Sequence, residues 1–209
     1  MRNKGVCLGL SIVVSAMVVA GVAAAVADDD KPVKRKALFN GKNLDGWKIM
    51  NNGRFSVRKG VIFLNRGGGW LRSEGTWQDF DLRMVFRFVD KNSNSGIFFR
   101  ADDHPGPNRG YQVQTKDDQS ICSIFNRGLK KPQVKKDTAL LATALKPAGE
   151  WQEYRIVARG AKLEVYLNGK RITVAEGLEV RKGHIGIQGE GGTLEFRAIE
   201  LGKPTIGSP

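Results

Sequence analysis

Between Ala37 and Leu201 apolar residues recur at every second position in short runs, and Gly, Asn or Asp closes each run after about ten residues. Asp81 to Val89 is the clearest case. Leu82, Met84, Phe86 and Phe88 fall on one face, and Asp81, Arg83, Val85, Arg87 and Val89 on the other, the period of a strand with one buried side. Lys162 to Leu167 and Lys170 to Val174 flank Asn168-Gly169, a pair that accepts positive φ at both positions and so predicts a type I′ hairpin. His184 to Gln188 and Leu194 to Ile199 alternate in the same way. Only Asp137 to Leu145, an Ala/Leu/Thr run stopped by Pro147, reads as helix. This cadence predicts an all-β fold: two packed antiparallel sheets of roughly a dozen strands, a jelly-roll sandwich bent at glycines.

The first 27 residues break the pattern. Arg2 and Lys4 precede an uncharged stretch from Gly5 to Ala27, and Ala25-Val26-Ala27 offers the small-x-small motif of signal cleavage before Asp28. Residues 1–27 therefore read as a signal peptide and predict a secreted or periplasmic protein. The uncharged stretch is also long enough to span a bilayer, so a membrane attachment follows only if it is not cleaved. Residues 28–36 are charged and without apolar period, a flexible lead-in; residues 37–201 form the domain, and residues 202–209 a tail.

Charge and cysteine content narrow the classes. Loss of residues 1–27 takes two positive charges from the +13 of the whole chain, leaving +11 on 182 residues. Cys7 goes with the signal and Cys122 stays alone, which excludes a disulfide framework and paired-cysteine metal or redox sites. Set in Ser120 to Phe125, Cys122 reads as a small buried strand residue. Lys130-Lys131 and Lys135-Lys136 form the densest basic run, but no recognition motif accompanies it and export argues against nucleic acid. A solvated basic face is the simplest reading, and an anionic polysaccharide stays open as a partner.

Familiar catalytic motifs are missing. No Gly-x-Ser-x-Gly elbow occurs, His104 and His184 are the only histidines, and the alternating carboxylates of β-glucanase sandwiches are absent. Gly67-Gly68-Gly69 before Trp70 reads as a loop or bulge rather than a phosphate cradle. Polar groups gather instead on two neighbouring candidate strands. Along Asn94 to Arg100, Arg100 shares a face with Phe98 and Gly96; along Tyr111 to Asp117, Gln112, Gln114 and Lys116 share a face. If the loop Asp102 to Gly110 joins them as a hairpin, Arg100 and the glutamines converge. Amides and a guanidinium pair with sugar hydroxyls, and an aromatic platform, for which Trp70 and Phe98 are the candidates, meets the C–H face of a sugar ring. The plainer alternative makes Gln112 and Gln114 the wet side of an amphipathic strand.

Eight short motifs extend this reading. LFNGKNLDGW (38–47), GWLRSE (69–74), DFDLRMVFR (79–87), NSGIFFRA (94–101), GYQVQ (110–114), KPAGEW (146–151), GHIGIQ (183–188) and Phe196-Arg197, in that order, resemble the 3-keto-disaccharide hydrolase, or 3-keto-glucoside lyase/hydratase, family. The resemblance implies a concanavalin A-like jelly roll in a secreted bacterial protein that acts on glycosides oxidised at C3. A 3-keto group acidifies the C2 proton, so a base can remove it and the C1 substituent is expelled while a cation or metal holds the enolate. Carried onto matching positions, Arg100 would hold the oxyanion and Asp117 would be the base or metal ligand, with Gln112, Gln114 and Gln188 binding substrate; a divalent metal is the cofactor this leaves open. Two positions depart from the family pattern. Gln112 stands where a glutamate is usual, and Gly189-Glu190-Gly191 replaces the His-Gly that often follows the last glutamine. Glutamine cannot abstract a proton, so a non-catalytic glycan-binding module of the same fold is the second expectation.

Overall fold

Asn168 and Gly169 both adopt positive φ, 50° and 82°, and turn the chain so that Leu167 faces Lys170, as the hairpin pattern predicts. The computed structural model describes residues 33–107 and 109–204. Among these residues fifteen strands form. In chain order they are β1 (Arg35–Ala37), β2 (Trp47–Met50), β3 (Phe55–Arg58), β4 (Val61–Asn65), β5 (Trp70–Ser73), β6 (Phe80–Phe88), β7 (Asn94–Ala101) and β8 (Gly110–Lys116), followed by β9 (Ile124–Arg127), β10 (Gln133–Lys136), β11 (Gln152–Arg159), β12 (Lys162–Leu167), β13 (Lys170–Glu176), β14 (His184–Gln188) and β15 (Thr193–Gly202). A short helix, α1 (Thr138–Ala144), lies between β10 and β11, its first turn capped by the Asp137 carboxylate accepting from the Leu140 amide.

The strands make two sheets, and every strand pairing among the described residues is antiparallel. One holds nine strands, in the order β10-β13-β12-β11-β6-β15-β4-β3 with β1 beside the end of β15; the other holds six, in the order β2-β5-β14-β7-β8-β9. The chain is thus the two-layered jelly roll that the alternation implies. Leu82, Met84, Phe86 and Phe88 of β6 meet Tyr154 and Ile156 of β11 and Leu194 and Phe196 of β15 on one side of the core. Leu71, Ile97, Phe99, Tyr111, Val113, Ile185 and Ile187 of the six-stranded sheet face them. A separate small cluster, Met50, Trp70, Phe98 and Ala101, sits on the opposite face of that six-stranded sheet.

Two local expectations change. Arg35 and Lys36 of the expected lead-in belong to β1 and pair with Gly202 and Leu201, so the sheet starts before Ala37. Cys122 is buried as expected, but it lies in the turn before β9 at φ 67°, not in a strand. Burial pushes its thiol up to about 12. The signal peptide of residues 1–27 lies outside the described residues, and no helix among the described residues is long and apolar enough to cross a membrane.

Candidate functional site

On β7 and β8 the pairs Gly96↔Gln114 and Phe98↔Gln112 face one another, and directly opposed residues share a face. β14 adds Gln188 opposite Trp70 of β5, and the edge strand β9 adds Phe125 opposite Gln112, with Arg127 on the same side. Glycines alternate into this outer face, and each makes room for a large neighbour. A Cβ at Gly96 would collide with the Gln112 amide, and one at Gly186 with the Trp70 indole.

The three glutamines lock together. Gln112 Nε2 donates to Gln188 Oε1 (2.8 Å) and Gln114 Oε1 (3.1 Å), and Gln114 Nε2 donates to Asn94 Oδ1 (2.8 Å). Arg127 Nη2 donates to Gln112 Oε1 (3.2 Å), and its guanidinium stands 5.2 Å from the Phe98 ring centre. Gln112 and Gln114 are buried, so they are not the wet side of an ordinary strand. A hollow of about 370 Å³ opens above them, walled by Asn94, Phe125, Asn126, Arg127, Gln188 and Glu190. A neighbouring recess of about 240 Å³, floored by Trp70 and Phe98, shares Arg127 and Gln188 with it.

Sequence reading brings Gln112, Gln114 and Gln188 to the site, with Trp70 and Phe98 beneath its recess. It does not place the two residues assigned to catalysis there. Arg100 leaves the face at a β-bulge: three steps along β7, from Phe98 to Ala101, match two along β14, from Gly186 to His184, and Arg100 takes φ 48°. Ala101 therefore occupies the outer face, and the Arg100 guanidinium donates to Gln78 O (2.9 Å), Gly160 O (2.8 Å), Val180 O (3.1 Å) and Asp79 Oδ1 (3.1 Å). It ties loops of both sheets together, fully buried, and burial lowers its pKa from the usual value with Asp79 opposing. Asp117 lies past the end of β8. Its Oδ2 accepts from the Asn92 amide (3.1 Å) and its own amide donates to Ser93 O (3.0 Å), clamping the β6–β7 turn away from the hollow.

Trp70 and Phe98 also differ from the open platform expected of them. Trp70 is fully buried, its indole N–H donating to Pro105 O (3.0 Å), and Phe98 is 2% exposed. The exposed ring is Phe125, at 48%. Sequence reading missed Phe125, Asn126 and Arg127, which follow Cys122 in a segment with little alternation, and used Asn94 only as part of a motif.

A divalent cation does not fit the donors gathered here. Hard cations need several oxygen ligands, mostly carboxylate. The hollow offers one carboxylate, Glu190; the amide oxygens of Gln112, Gln114 and Gln188 already accept hydrogen bonds, and a guanidinium stands among them. Nor does any group of three or more His, Cys, Asp or Glu gather elsewhere among the described residues.

The sequence signature of the 3-keto-alpha-glucoside-1,2-lyase-like domain matches residues 34–202. The chain belongs to this family. Solved structures carry the same sandwich. A protein of Parabacteroides distasonis ATCC 8503, provisionally assigned as a glycosyl hydrolase, superposes with a TM-score of 0.64 at 24% identity, covering 82% of this chain and all of that one. A second such protein from the same organism gives 0.63 at 20% identity, over 81% and 94%. The carbohydrate binding module CBM66 of Bacillus subtilis gives 0.55 at 16% identity, over 76% and 96%. At these identities the likeness concerns the fold. A search of curated proteins finds no match.

Proposed function

We propose that this family member binds a carbohydrate in the hollow over β7, β8, β9 and β14. One observation carries the reading: Arg127, on the wall shared by the hollow and its recess, keeps a buried Nε–H without a partner beside an amide chain and the half-exposed Phe125 ring. Phe125 supplies a stacking surface for a sugar ring, while Asn94, Gln188 and Arg127 supply directional donors and acceptors for its hydroxyls. The test is calorimetric titration with glucosides and their 3-keto forms. Saturable binding is expected, weakened at least tenfold by Phe125→Ala and by Arg127→Ala. Absence of binding to every glycan tried, or binding indifferent to both substitutions, overturns the reading.

A second reading, lyase action on 3-keto-glycosides, is favoured by family membership and by Glu190, the one carboxylate on the hollow wall. Here Glu190 takes the C2 proton and the electron pair of the C2–H bond forms the enolate, whose oxyanion the Arg127 guanidinium stabilises; the enolate then collapses to a C1=C2 bond as the C1–O pair leaves with the aglycone oxygen, which takes up the proton. Aglycone release from a 3-keto-glucoside is then expected to fall by two orders of magnitude or more in Glu190→Gln with binding retained. No release by the native protein leaves the binding function alone.

Export belongs to the same proposal. It rests on the charged start, uncharged stretch and Ala25-Val26-Ala27 motif of residues 1–27.

A further inference from the structure

A cavity of about 750 Å³ lies apart from the hollow and shares no wall residue with it. It opens where β1 and the end of β15 meet β2, β5 and the β5–β6 turn, at the seam between the two sheets. Its volume falls within the roughly 300–1,000 Å³ of small-molecule sites. The inner wall is apolar: Leu38, Trp47, Trp77 and Leu201 all pack on the sandwich core, and Leu38, Trp77 and Leu201 stay half-buried at the cavity surface.

The rim is basic. Lys34, Lys36 and Lys203 are exposed on it, and none is ion-paired with a carboxylate among the described residues. Arg35 does not add to this charge, because Asp81 binds it at 2.8 Å; Asp79 does not cancel it, because Arg100 binds that carboxylate at 3.1 Å. Glu74 is the remaining acidic group among the described residues of its wall. An apolar slot beneath unpaired ammonium groups is complementary to an acyl chain with an anionic head. Position adds a second argument. Only residues 28–33 separate the uncharged stretch ending at Ala27 from Lys34, a reach of at most about 25 Å, so this end of the sandwich is held nearest a bilayer while residues 1–27 remain attached.

We propose that the seam cavity seats an anionic acyl lipid of a membrane surface, its head group on Lys34, Lys36 and Lys203 and its chain against Leu38, Trp77 and Leu201. The inference is independent of the sugar reading, since the two sites have separate walls.

The test uses residues 28–209 and vesicles of phosphatidylcholine with or without phosphatidylglycerol. Sedimentation with the anionic vesicles only is expected, weakened about fivefold for each lysine changed to alanine and on the order of a hundredfold in the triple variant. Tryptophan emission should shift to the blue on binding, Trp77→Phe should lose much of that shift, and decanoate should displace the vesicles. Arg127→Ala should leave all of this unchanged. Equal binding to neutral vesicles, no binding, or indifference to the triple substitution overturns the proposal. So does sedimentation without an emission shift, which is charge adsorption with no seated chain. Decanoate binding without vesicle binding overturns the membrane source.

Discussion

Two arginines show how a residue type acquires opposite duties from its surroundings. Arg100 is sealed against three carbonyls and a carboxylate, whereas Arg127 lies half-buried with one N–H unspent. Removing Arg100 strands the carbonyls of Gln78, Gly160 and Val180, each worth about 1 kcal/mol or more when left unpaired. Arg100→Ala should therefore lower stability by about 3 kcal/mol in chemical denaturation and leave glycan affinity per folded molecule intact. Arg127→Ala should do the reverse, with a stability change of less than about 1 kcal/mol.

Cys122 gives the residue scale a pH signature. Its thiol is held neutral by burial, from 9.0 up to about 12, so the unfolded chain ionises first as pH rises. The folded state then carries the extra proton, and its stability must fall between about pH 9 and 12 by up to ~1.4 kcal/mol per pH unit. Buried Tyr154, also raised by burial, steepens the loss above its ordinary range. Denaturation midpoints measured through this window should drop, and Cys122→Ala should flatten the part that begins near pH 9.

At the scale of elements, the site depends on which strand positions are small. Gly96 lies on β7 beneath the Gln112 amide, and the atom that a Cβ would strike is the end of a flexible side chain. Gly96→Ala should thus expel the amide from its bonds to Gln114 and Gln188 and cost more than tenfold in sugar affinity, read by titration, with a modest loss of stability. The pairing of β7 with β8 and the identity of the shared face were legible from period-2 alternation, which is why Gln112 and Gln114 were placed together; Gln188 came from the family motif. The departure at Arg100 was not. A bulge arises from pairing with β14, a strand more than eighty residues away, and no local pattern in Asn94 to Ala101 marks the extra residue. Asp117 entered through the family resemblance alone, and the turn at Asn92 and Ser93 holds it beyond the end of β8.

At the scale of the whole molecule, the sandwich carries two chemically distinct sites among its described residues, a polar hollow on one sheet and an apolar seam between the sheets. If export proceeds as residues 1–27 imply, N-terminal sequencing of the protein recovered outside the cytoplasm should begin at Asp28; a start at Met1 in a membrane fraction would mark an uncleaved anchor.

What the sequence determined by itself is whatever repeats locally: strand period, the Asn168-Gly169 turn, the short helix, the buried face of the clearly alternating strands and the family motifs. Those features are set by side-chain direction and backbone preference within a few residues. Only the tertiary structure decided which polar groups meet. Arg127 joins the glutamines through strand pairing, Arg100 is withdrawn by a bulge, and the seam cavity unites four segments of the chain, within residues 34–38, 46–47, 73–79 and 201–203. Proximity of that kind comes from how two sheets close on each other, and no periodicity along one strand encodes it.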